Sequence, residues 1–162
     1  MGRQAIDAVS LCFSRTMPNL LIIGYGNPLR GDDGVGWHVV DALDALLPEG
    51  SAVAIHQLTP EWAEAVSQAQ RVIFIDATEG DQPGLVQLFP IEPSPVKVGS
   101  HEMTPGLLLS MASDLYGHCP PATMVTIVGG SFELSESLTG EVAAAVPIAI
   151  SRILDMLNLP TE

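Results

Sequence analysis

Two cysteines in 162 residues are too few for a disulfide scaffold. Cys12 and Cys119 also lack the CxxC spacing of a structural zinc site, and such thiol scarcity suits a reducing, cytoplasmic compartment. Basic residues are scarce too: six Lys and Arg stand against nineteen Asp and Glu, a formal charge of −13. A chain this anionic is repelled by phosphate backbones and anionic lipid, which argues against nucleic acid and membrane as partners. A cationic peptide or a metal ion fits better, although acidity that merely maintains solubility explains the charge equally well. Long apolar runs are missing. Gly, Pro or a charge interrupts each one well short of the ~20 residues a membrane helix needs. Met1 to Pro18 do not read as a convincing signal peptide: Asp7, Ser10 and Ser14 break the apolar stretch, and no small-residue cleavage site follows it. Met17 directly precedes the first apolar strand. Residues 1–18 are therefore read as an extension whose native status is open, and residues 19–162 as one domain.

What is present is enough for a sizeable core, since hydrophobic residues make up 47% and charged ones 15%. Leu20 to Ile23, Ala52 to Ile55, Val72 to Ile75, Leu85 to Phe89 and Met124 to Val128 read as strands. Between them lie helical patterns. Val35, Val39, Leu43, Leu46 and Leu47 recur at helical spacing. Thr59-Pro60-Glu61 and Thr104-Pro105 both carry the Thr N-cap and first-position Pro of a helix start. The last helix is expected from about Thr139 to Leu157, with a kink at Pro147. Strands alternating with helices predict a single α/β domain, a roughly five-stranded, mostly parallel sheet with helices on both faces. In such folds chemistry collects in loops at the carboxyl ends of the strands. Three such loops hold unusual polar residues: Asn27 to Asp33, Asp76 to Glu79 and, after the fourth strand, His101-Glu102.

The first loop, Gly24-Tyr25-Gly26-Asn27-Pro28-Leu29-Arg30-Gly31-Asp32-Asp33-Gly34-Val35-Gly36, invites comparison with a dinucleotide fingerprint and fails it. Leu29 occupies the third glycine position, and His56-Gln57 stands where the ribose-binding acid belongs. No organic cofactor is expected. One aspartate suffices to cap the first helix, so the second of the Asp32–Asp33 pair is free to project. Asp76 ends an apolar strand, where a carboxylate is costly unless capped, hydrogen-bonded or bound to a cation. His101 lies just ahead of a helix, a position that is most often solvated surface. Two carboxylates and an imidazole at one sheet edge form an open site for a divalent transition metal, and oxygen and nitrogen donors without thiolate suit nickel or zinc. His38 and His56 read as structural or surface residues. His118 and Cys119 are sequence neighbours whose side chains diverge, and there is no Gly-x-Ser-x-Gly elbow. Serine or cysteine proteolysis is therefore disfavoured.

The first loop resembles the N-terminal signature of the hydrogenase maturation proteases. Ile75-Asp76-Ala77 and Ser100-His101-Glu102 are similar to that family's second and third motifs, in the same order, and the likeness extends from about Leu20 to Leu157. The resemblance implies an aspartic-type endopeptidase that trims a C-terminal extension from the precursor of a nickel–iron hydrogenase large subunit. It places the metal contacts on Asp33, Asp76 and His101, leaves Asp32 a structural role, and makes nickel something the substrate supplies. A carboxylate or a metal-polarised water would attack the scissile carbonyl. Two other readings use the same three residues: a nickel-binding assembly chaperone without peptidase activity, and a metallopeptidase with resident zinc.

Overall fold

Short runs of β-branched and aliphatic residues become strands here because a two-sided sheet buries both of their faces. The computed structural model describes residues 19–95, 99 and 101–158; the extension expected over residues 1–18 lies outside them. Leu20–Tyr25 (β1), Ala52–Ile55 (β2), Arg71–Thr78 (β3), Val86–Ile91 (β4) and Ala122–Val128 (β5) form one sheet in the order β2-β1-β3-β5-β4. β1 pairs in parallel with β2 and β3, and β3 in parallel with β5, while β4 runs antiparallel to β5. Central β3 is fully buried from Val72 to Ile75. Pro90 is tolerated in β4 because that strand is an edge.

Among the described residues four α-helices cover the sheet: Val35–Asp44 (α1), Trp62–Gln68 (α2), Pro105–Tyr116 (α3) and Gly140–Met156 (α4), with a 3-10 turn, Gly31–Gly34, ahead of α1. On one face Val39 and Leu43 of α1 and Ala145, Ala149 and Ile153 of α4 pack on Ile22, Ile75 and Ile127. On the other, Val66 of α2 and Leu108 and Leu109 of α3 pack on Ile23, Phe74 and Met124. Each fully buried Ile, Leu or Phe contributes about 1.5–3 kcal/mol of transfer free energy. The expected α/β fold is the one observed.

Local signals fared unevenly. The Thr104 hydroxyl accepts from the Leu107 amide at 3.2 Å, Pro105 takes the first helical position, and Gly117 at φ 76° ends α3. Thr59, by contrast, does not cap α2. Its carbonyl accepts from the Trp62 amide at 3.2 Å, and its hydroxyl bonds Glu61. That turn occupies Pro60 and Glu61, so the helix begins only at Trp62. α4 continues through Pro147 to Met156.

Two expectations about the sheet edge need correction. Asp76 is not in a loop: it lies within β3, paired with Thr126, two residues before the strand ends. His101 is not at the carboxyl end of a parallel strand either, because β4 is antiparallel and points the opposite way. The segment after β4 must run back along the molecule. It delivers His101 to the site because α3, whose start follows directly, feeds the parallel strand β5 from the far edge.

Candidate active site

The chain leaves β1 through a turn that only glycine admits. Gly26 has φ 143°, and a side chain there would run into the Asp33 carbonyl. Asn27 then organises the loop, its side-chain oxygen accepting from the Leu29 amide at 2.9 Å and its carbonyl from the Arg30 amide at 3.1 Å. Its own amide donates to Asp33 Oδ2 at 2.7 Å. The Trp37 indole donates to the Gly26 carbonyl at 2.9 Å, tying α1 to the same turn. Gly36 allows this closeness, since a Cβ there would sit 2.9 Å from the Ile75 carbonyl oxygen.

The two adjacent aspartates have opposite fates, and neither caps α1, whose N-cap is Gly34 without a side-chain bond. Asp32 is fully buried. Its Oδ2 accepts from the Gly130 amide at 2.7 Å, the Ser131 amide at 3.0 Å and the Thr139 hydroxyl at 2.8 Å, and its Oδ1 from the Thr139 amide at 2.8 Å. Burial pushes its pKa up, but the bonds from Thr139, Gly130 and Ser131 outweigh that and hold it below the ordinary value. Asp32 thus joins the first loop to the end of β5 and the start of α4. Asp33 is half-buried and faces a cavity of about 460 Å³.

Asp76 and His101 line that cavity with Asp33, as do Tyr25, His56 and Glu102. The Asp76 pKa is raised from the ordinary 3.8 to about 7. Burial is the main cause and the Asp33 charge the next; bonds from the Ala77 amide and the Tyr25 hydroxyl oppose the rise, and Glu102 adds to it. Burial and the nearby Asp76 also push the Tyr25 phenol well above its usual value, so it stays a neutral donor. His101 and Glu102 are exposed at the mouth. Among the described residues no three His, Cys, Asp or Glu side chains stand close enough to hold one ion. Asp33, Asp76 and His101 share a cavity without closing on a point. Their donor chemistry, two carboxylates and an imidazole, is one that nickel or zinc accepts.

Three ionisable residues of the cavity, Tyr25, His56 and Glu102, lay outside the sequence-based set. Tyr25 and Glu102 sit inside the quoted motifs without a distinguishing signal. His56, read as structural or surface, packs edge-on against Trp37 with ring centroids 5.2 Å apart and borders the cavity. His38 and His118 are exposed elsewhere. Cys119 packs beside the second core cluster, and burial followed by Glu92 pushes its thiol pKa up, the wrong direction for a nucleophile. Cys12 lies outside the described residues.

No family model matches the chain. A Methanocaldococcus jannaschii protein named as a hydrogenase maturation protease is 29% identical over 149 residues, covering 84% of this chain and 94% of its own. Among solved structures, the hydrogenase maturating endopeptidase HybD of Escherichia coli superposes with a TM-score of 0.71 at 25% identity, over 86% of this chain and 92% of that one. The hydrogenase 2 maturation peptidase of Thaumarchaeota archaeon SCGC_AB-539-E09 gives a TM-score of 0.66 at 27% identity, over 88% and 99%. The ordered motifs, the sheet topology and these likenesses agree: each of these three proteins, similar to this chain in sequence or in fold, is named as a hydrogenase maturation protease or peptidase.

Proposed function

We propose that the chain is an endopeptidase that removes a C-terminal extension from the nickel-loaded precursor of a nickel–iron hydrogenase large subunit. One observation supports this above the others. Asp33, Asp76 and His101, far apart in sequence, face a single open cavity at the sheet edge. In this reading nickel arrives as part of the substrate, and the three side chains complete its coordination as the precursor docks. Metal loading is thereby sensed before the bond is cut. The cavity offers carboxylates for general acid–base work, and the raised thiol pKa of Cys119 leaves that residue outside the chemistry.

Intact-mass analysis of purified protein mixed with nickel-loaded and nickel-free precursor tests the proposal. Cleavage of the loaded form alone is the expected result. Equal cleavage of both forms would favour a metallopeptidase with resident zinc, and nickel binding without cleavage would favour an assembly chaperone.

A further inference from the structure

One face of the sheet is only partly roofed. α2 and α3 pack on it, with Phe74 of β3 and Met124 of β5 buried in the same cluster. Nearer the carboxyl ends of β3 and β5 the described residues leave it open. Thr78 and Thr126 are half-buried, and Gln87 and Phe89 of β4 are exposed, Phe89 by 42%. These four residues border a hollow of about 520 Å³, rimmed by the exposed carboxylates of Glu79 and Asp81. Among the described residues no basic side chain lines it.

The hollow adjoins the candidate active site through the strand register. Asp76 pairs with Thr126, and Thr126 pairs with Gln87. Directly paired residues share a face, so the three side chains form one row across β3, β5 and β4. At ~4.8 Å per strand the row is about 10 Å long, the reach of roughly three residues of extended chain. A peptide leaving the Asp76 cavity along this row would meet Phe89 with an apolar side chain and the two rim carboxylates with a cation.

We propose that this open face is the subsite for the peptide running out from the cleaved bond. It takes an extended segment with an apolar residue against Phe89 and a Lys or Arg about three residues from that bond, met by Glu79 and Asp81. The inference rests on the endopeptidase reading of the Asp76 cavity. Its occupant follows from charge complementarity and from continuity with that cavity.

Fluorescence anisotropy with the full chain provides the test. The probe is a labelled hexapeptide with two lysines and two valines between terminal glycines, compared with its counterpart carrying glutamates for the lysines. The lysine peptide should bind at least tenfold tighter than the glutamate peptide. Glu79→Lys/Asp81→Lys and, separately, Phe89→Asp should each weaken its binding tenfold or more. Asp41→Lys/Asp44→Lys changes the net charge by the same amount on exposed positions of α1 and should leave binding within twofold. Equal loss in that control would reduce the attraction to global charge and overturn the proposal, as would unchanged binding in the hollow variants. Sedimentation showing a wild-type dimer that Phe89→Asp dissociates would assign the face to a second copy and overturn it too. If the wild type fails to cut nickel-loaded precursor, the endopeptidase reading falls while the peptide measurement still reports on the hollow.

Discussion

Replacing Asp76 by Asn should remove activity and raise stability at the same time. The Asp76 carboxyl has its pKa raised from 3.8 to about 7, chiefly by burial and by Asp33. A group whose folded pKa lies above its unfolded value holds its proton more tightly when folded. Its contribution is therefore most favourable below about pH 4 and is lost as pH rises towards 7. At ~1.36 kcal/mol per pH unit, the cost of ionising it in place approaches about 4 kcal/mol by pH 8 and is less than half of that at pH 5. Contact with cavity water reduces the figure, and about 2–4 kcal/mol is the expected gain for Asp76→Asn at pH 8. Asn is nearly isosteric and can still accept from the Ala77 amide. For a domain near this size the gain corresponds to a Tm rise of roughly 6–12 °C. Circular-dichroism melts of both proteins at pH 5 and pH 8 measure it, with precursor processing assayed in parallel. The reasoning is refuted if the variant melts at or below the wild type at pH 8, or if the difference fails to shrink towards pH 5.

Asp33→Asn and His101→Ala should each impair precursor processing with little change in melting temperature. Their combination should cost much less than the sum of the separate effects, because one missing contact already breaks the unit; strictly additive rates would show that the residues act apart. Asp32→Ala should destabilise by roughly 3 kcal/mol or more, since four buried donations to a carboxylate lose their acceptor. The Asp32 pKa is shifted in the opposite sense to that of Asp76, so its contribution is present above about pH 4 and lost in more acid solution. Urea titrations at pH 3.5 and pH 7 should show the wild-type advantage over this variant shrinking at the lower pH. Cys119→Ala, His118→Ala and His38→Ala should process precursor at near wild-type rates, and loss of cleavage in Cys119→Ala would contradict the carboxylate site.

Alternation of apolar runs with helical periods was sufficient to set the α/β class, because burial on both faces demands apolar strands wherever it occurs. The sequence by itself also placed the Gly- and Asp-rich loop at the exit of β1 and the Thr-Pro start of α3, both of which depend on neighbours within a few residues. Tertiary structure decided what depends on distant ones. Asp32 and Asp33 are chemically identical neighbours, and the partners that separate them include Gly130, Ser131 and Thr139, 98 to 107 residues from Asp32. The Asp76 pKa rises because packing removes water and brings Asp33 near, neither of which a strand pattern encodes. Antiparallel β4 ends at the opposite end of the sheet from the cavity, and His101 lines the cavity only because the chain after it returns, a choice of direction invisible in the residues of β4 themselves. Local propensity fixes elements; which side chains share a cavity follows from the order and direction in which those elements pair.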